Sequence, residues 1–167
     1  FIQIGKDKLN TQVWETFIFD KKLLIGSNVG LGVIDSSDNY QQVINKKDIG
    51  IVFEIIESKI FKEYLLVRSK KGIFLINKYN LNDYKKIYQG SGVGYLTEFK
   101  ERNEIWFRVS KKGIFRLKKE KDSINESKFD DEKFIKGIVK IFNINSNLII
   151  FANQSYLEYD FLKNDFN

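Results

Sequence analysis

Apolar residues along this chain come in short blocks separated by Asn, Asp, Gly and Lys, without the 3.6-residue recurrence of an amphipathic helix. Leu23-Leu24-Ile25, Tyr64-Leu65-Leu66-Val67 and Leu148-Ile149-Ile150-Phe151 are continuous apolar runs, too short for buried helices. A strand with one wet face alternates, so such runs predict strands covered on both faces. Each run has the same neighbours. An opening strand is predicted at Val13–Phe19, Ile51–Glu57, Val93–Phe99 and Gly137–Ile144. The second strand lies within Leu23–Gly30, Leu65–Gly72, Trp106–Gly113 and Ile149–Tyr156. A third follows at Leu31–Asp35, Ile73–Asn77, Ile114–Lys118 and Leu157–Phe161. A fourth, more polar strand fits Tyr40–Ile44 and Asp83–Tyr88. In the third unit no clear fourth strand is read: Lys119–Asp131 is long and charged and reads as an extended outer-strand loop on the rim, and Asp130–Lys136 suits a turn or two of helix.

The second and third strands are joined by a repeated hairpin, Ser69-Lys70-Lys71-Gly72 and Ser110-Lys111-Lys112-Gly113, with Asn28-Val29-Gly30 as a variant. This sequence suits a type I turn followed by a left-handed residue, which glycine adopts without steric cost. Asn153-Gln154-Ser155-Tyr156 lacks the glycine, which predicts a different turn there. The units end at 30, 72, 113 and 156, so they are spaced by 42, 41 and 43 residues. A period of about 42 built from strands is the signature of a β-propeller, one four-stranded blade per repeat. The expected fold is therefore all-β, residues 1–167 forming a propeller segment with blades at about 13–44, 51–88, 93–134 and 137–167. Propellers usually have about four to eight blades, and the four here are expected to be part of a larger one. Phe1-Ile2-Gln3-Ile4 reads as an outer strand ahead of the first unit. The alternative is a closed four-bladed ring, in which that strand completes the fourth blade.

Composition narrows the chemistry. The chain has no Cys and no His, which removes disulfides, thiolate chemistry, the commonest metal ligand and the usual general base. Its net charge is +6, but the 28 basic residues are scattered among 22 acidic ones. A solvated basic surface is expected rather than a nucleic-acid stripe. No apolar run approaches the ~20 residues of a membrane span, and no signal peptide is present.

The motifs that usually carry chemistry have simpler explanations. Gly90-Ser91-Gly92-Val93-Gly94 is rich enough in glycine for a phosphate loop, but the next residues, Tyr95 to Phe99, form a strand and not a helix. It reads as an inter-blade connection. Asp35–Asp38 and Asp130-Asp131-Glu132 lack calcium-loop spacing and read as solvated turns. Ser27, Ser69 and Ser110 recur at the turn without a base, which points to turn chemistry. Trp14 and Trp106 suit packing between blades. No catalytic residue, metal site or cofactor is expected.

Ile105 to Leu117 places Trp106 seven residues before Gly113, followed by a hydrophobic, an aromatic, any residue and a hydrophobic. This pattern resembles the repeat of two-component regulator propellers, and Leu24–Ile34, Leu66–Ile76 and Ile150–Asp160 resemble weaker copies. The abundance of Lys and Asn is similar to that of sensor-regulators of Bacteroidetes-type bacteria. The resemblance implies a periplasmic or otherwise extracytoplasmic segment, whose partners are adjacent blades and a three-tyrosine β-sandwich of the same parent chain. It further implies a membrane helix and a histidine-kinase or helix-turn-helix output beyond them.

The leading reading is a non-catalytic sensor segment of a bacterial signal-transduction regulator, binding an unknown small or anionic ligand or a partner, with no nucleic acid and no membrane contact. In a propeller the links between strands two and three share a rim with the links between blades. That rim would gather Asn28, Lys70, Lys71, Gly90, Ser91, Gly92, Lys111, Lys112 and Gln154 as a binding face, and altered blade packing would carry the signal. The alternatives are a protein–protein interaction scaffold and, third, a propeller glycan hydrolase or lyase.

Overall fold

The computed structural model describes residues 2–4, 9–136, 139–152 and 155–166. The chain divides into two compact units, Phe1–Ser91 and Gly92–Asn167. In the first, β1 (Ile2–Ile4) pairs with β2 (Leu9–Thr11). Sheet one follows as β3 (Val13–Phe19), β4 (Lys22–Ser27), β5 (Gly30–Ile34) and β6 (Tyr40–Asn45). Sheet two is β7 (Val52–Glu57), β8 (Tyr64–Ser69), β9 (Gly72–Asn77) and β10 (Tyr84–Gln89). The second unit holds sheet three, with β11 (Thr97–Phe99), β12 (Glu104–Val109), β13 (Gly113–Lys119) and β14 (Ile124–Phe129). One helical turn, α1 (Glu132–Lys136), leads into sheet four. That sheet is β15 (Val139–Ile144), β16 (Asn147–Ala152), β17 (Ser155–Asp160) and β18 (Asp165–Phe166). Every sheet is antiparallel with its strands in chain order, the four-stranded meander of a propeller blade.

Two expectations need correction. The third repeat has its own fourth strand, β14, within the segment read as a charged loop. It pairs with β13 from Ile114↔Phe129 to Lys119↔Ile124. An outermost strand has a neighbour on one side only, so it tolerates the polar sequence Ile-Asn-Glu-Ser-Lys-Phe that hid it. The fourth sheet likewise supplies its own last strand, with Tyr159 pairing with Phe166, while Ile2–Ile4 pairs with Leu9–Thr11 instead.

Blades pack in the same sense within each unit. In the first, Leu24, Leu31, Val33 and Ile44 on one face of sheet one meet Ile55, Leu65, Val67, Phe74 and Ile76 of sheet two. In the second, Phe99, Trp106 and Ile114 of sheet three meet Leu148, Ile150, Ala152 and Tyr159 of sheet four. The trailing face of the earlier blade thus covers the leading face of the later one. Trp106 is fully buried, stacked on Phe129 at 5.3 Å and edge-on to Tyr159 at 4.8 Å. Trp14 also packs between blades, against Phe53 at 5.5 Å, but stays half-exposed.

The continuous apolar runs are buried on both faces in β8 and β9. In β16 they are not. Leu148, Ile150 and Ala152 are buried, but Phe151 is 46% exposed, with Phe142 and Tyr156 beside it on the same trailing face. Burial on both faces is therefore overturned for Leu148–Phe151: one side of this sheet carries aromatic rings in the open.

The repeated glycine has a tertiary cause as well as a local one. Gly30, Gly72 and Gly113 take φ of 117°, 135° and 108°. A methyl group on any of them would overlap a backbone carbonyl of its blade's fourth strand, that of Ile44, Tyr88 or Phe129 respectively. In the first two hairpins Ser27 pairs with Gly30 and Ser69 with Gly72, leaving two-residue loops whose left-handed step falls on the glycine. The third differs from the expected turn. Val109 pairs with Gly113, the loop is one residue longer, and Lys111 itself turns left-handed at φ 62°.

Candidate ligand-binding face

Three of the hairpins are tied by their backbone to the segment entering their own sheet. Asn28 N–H donates to Gln12 O at 3.1 Å, Lys70 N–H to Ile51 O at 2.8 Å, and Ser110 N–H to Gly92 O at 2.9 Å. In the first unit Gly90 N–H also reaches Lys71 O at 3.3 Å, so Lys70, Lys71 and Gly90 meet at one end of sheet two, with Ser91 exposed beside them. In the second unit Gly92 lies against the hairpin that exposes Lys111 and Lys112. Gln154 lies outside the described residues.

Two of these side chains are engaged in holding the fold. The Asn28 carboxamide oxygen accepts from Thr11 Oγ1 at 2.7 Å and Gln12 N–H at 3.1 Å. Lys71 Nζ donates to the Lys47 carbonyl. Ser27 and Ser69 are buried and bridge their own turns: the Ser69 hydroxyl accepts from Lys71 N–H at 3.1 Å and donates to Gly72 O at 3.3 Å. The acidic turns are similar. Asp35 accepts from the backbone of Ser37 and Asn39 at 2.9 and 3.0 Å. The hydrogen bond and charge of Lys128 hold Asp130 below the usual carboxylate range, and the Lys133 N–H does the same for Asp131.

A cleft of about 250 Å³ opens in the second unit, lined by Gly94, Tyr95, Arg108, Lys140, Ile141 and Phe142. Its walls are the link after Gly92, the end of β12 and the start of β15. Gly94 N–H donates to Arg108 O at 2.7 Å. The Thr97 hydroxyl donates to Ile141 O at 3.0 Å, and Asn143 Nδ2 to Glu98 O at 3.3 Å, which ties the first strands of sheets three and four side by side. Arg108 Nη2 makes a long bond of 3.4 Å to Ile135 O, and its Nε is buried with no hydrogen-bond partner. Tyr95 is 76% exposed. Apart from the glycine link, this site escaped the sequence reading. Arg108 sits inside the repeat motif, and the only trace of it is an arginine near the end of the second strand in both middle repeats.

That recurrence has a structural meaning. Arg68 and Arg108 occupy the same register, opposite Ile73 and Ile114. Arg68 faces Glu54 across the β7–β8 ladder, its Nε 2.7 Å from Glu54 Oε2. A third arginine, Arg116, is also compensated. It lies 3.8 Å from Glu104 Oε1 and donates to Tyr159 Oη, Asn164 Oδ1 and Ser127 Oγ at 3.2, 2.9 and 3.1 Å. Glu104 in turn accepts from Trp106 Nε1 at 3.0 Å. Burial raises the Tyr159 phenol above its ordinary pKa, against the opposing pull of Arg116.

No protein-family model matches the chain, and no curated protein does. Solved structures do. The extracellular domain of a putative hybrid two-component system from B. thetaiotaomicron overlays with a TM-score of 0.70 at 16% identity, covering 100% of this chain and 22% of that one. A CNH domain of AfRom2 overlays at 0.66, with 14% identity over 98% of this chain and 56% of that one. Virginiamycin B lyase from Staphylococcus aureus overlays at 0.64, with 15% identity over 98% of this chain and 57% of that one. The likeness is one of fold. The chain carries four blades of an all-β propeller, and it spans only part of the structures that it matches. Among the described residues no helix is long and apolar enough to cross a membrane, and no group of three or more His, Cys, Asp or Glu is placed to hold a metal ion.

Proposed function

We propose that this chain is a non-catalytic β-propeller segment of a bacterial sensor-regulator, extracytoplasmic in its parent protein, and that it recognises a ligand or partner. The observation that carries this reading is the overlay of the whole chain on the extracellular domain of a hybrid two-component system. The tryptophan-to-glycine pattern of Trp106–Leu117, similar to regulator-propeller repeats, supports it. The partners proposed are further blades and a three-tyrosine domain of the parent chain. Binding acts by favouring one packing of neighbouring blades over another, and it shifts that balance only by its differential affinity for the two. The test is topological: an alkaline phosphatase fusion inserted in this segment of the full-length protein is active if the segment is exported. Activity of a cytoplasm-dependent reporter at the same position overturns the proposal.

A second reading rests on the matches to a streptogramin B lyase and to virginiamycin B lyase. Without histidine, proton transfer in this segment would fall to carboxylates, tyrosines or lysines. Turnover of a type B streptogramin by the purified chain establishes this reading, and no turnover at high enzyme concentration removes it.

A further inference from the structure

Sheets two and three solve the same electrostatic problem differently. In sheet two the arginine near the end of the second strand, Arg68, is met across the ladder by Glu54. In sheet three, counted from Val93 opposite Val109, Tyr95 holds the chain position of Glu54, and Gly94 beside it bonds through its N–H to Arg108 O. Neither residue carries a carboxylate, and Gly94 leaves space beside the arginine. A Cβ built on Gly94 meets nothing closer than Arg108 O at 3.4 Å and Arg108 Cβ at 3.7 Å. A second cation, Lys140, also lines the cleft. Among the described residues no carboxylate lies within ion-pair distance of either Arg108 or Lys140. A half-buried guanidinium without a counter-charge is costly, and an anion from outside relieves that cost.

We infer that the cleft binds a small carboxylate carrying a flat apolar body, its carboxylate taking the place beside Arg108 that Glu54 takes beside Arg68. The chemistry of the lining defines this class. The guanidinium offers planar paired donors that match a carboxylate, and Lys140 adds a point charge. Tyr95, Ile141 and Phe142 in the same lining offer apolar cover for a flat body. A cleft of about 250 Å³ falls below the roughly 300 Å³ at which drug-sized pockets begin, which favours a single-ring acid. The inference rests on the reading of the chain as a recognition module and names what that module takes.

Phenylacetate is the probe, with phenylacetamide as the neutral isostere, and binding to the full 167-residue chain is followed by calorimetry and ligand-observed NMR. Phenylacetate is expected to bind, and phenylacetamide to bind at least about tenfold more weakly, as loss of a charge-assisted pair requires. Lys140→Gln, an exposed change that leaves the fold alone, weakens the acid several-fold and leaves the amide unaffected. Gly94→Glu supplies the missing carboxylate from within, so it abolishes phenylacetate binding while the chain melts no lower than Gly94→Gln. Equal binding of acid and amide, affinity unchanged in Lys140→Gln and Gly94→Glu, or no binding of the acid at millimolar concentration each overturns the inference. The fusion experiment on the parent protein is independent of these outcomes, so failure of the ligand class and failure of the sensor reading are told apart.

Discussion

Replacing Gly72 by alanine tests the claim that the repeated hairpin glycine is demanded by the fourth strand as well as by the turn. Gly72 has φ 135°, where an L-residue is strained, and a methyl group there overlaps the Tyr88 carbonyl. The left-handed backbone costs about 1–2 kcal/mol for a residue with a Cβ. Pushing β10 away from the hairpin adds overpacking of about 1–3 kcal/mol, because the obstacle is backbone and has no rotamer to change. The sum is about 2–5 kcal/mol, centred near 3.5, or a fall in melting temperature of about 7–14 °C for a chain of this size. Gly94→Ala is the control. Its added Cβ would sit 3.4 Å from Arg108 O, in ordinary contact, so it should cost under about 1 kcal/mol. Thermal unfolding followed by circular dichroism separates the two variants. Gly72→Ala melting within about 1 °C of Gly94→Ala would refute the reasoning, since a strain of this size cannot be hidden at that resolution.

Three further outcomes are expected. Because burial raises the Tyr159 pKa above 10.0, its neutral form adds stability that is complete below that pH and lost as pH rises from there through the folded value. Melts from about pH 9 to about pH 11 should therefore fall more steeply for the native chain than for Tyr159→Phe, and parallel curves would contradict the assignment. Arg116→Met strands the buried Glu104 carboxylate and should cost about 3 kcal/mol or more, with Glu104→Gln in the same chain restoring part of it; independent, additive effects would show that the two do not interact. The exposed trailing face of sheet four, with Phe142, Phe151 and Tyr156, matches the face that the next blade covers in sheets one and three, so the chain should self-associate through it. Sedimentation should show that association weakened by Tyr156→Glu with Phe151→Ser, and a monomer at high concentration in the native chain would dismiss it.

The blades were legible in the amino-acid order because strand, turn and period are local properties. Ser-Lys-Lys-Gly with apolar runs on either side specifies a hairpin wherever it occurs, and its spacing specifies a propeller. Signals failed where a strand's environment is one-sided: β14 has a polar composition because an outer strand needs no apolar face, and β18 is two residues long. Tertiary structure alone decided which apolar runs are covered twice. Leu65–Val67 and Leu148–Phe151 look alike in sequence, yet Val67 is fully buried and Phe151 is half in solvent. The cleft is the clearest case. Arg68 and Arg108 are equivalent in the repeat, and whether each has a counter-charge depends on residues elsewhere in the chain, Glu54 for one and Gly94 with Tyr95 for the other. Charge compensation is a relation across the ladder, so it came into view only when the strands were paired.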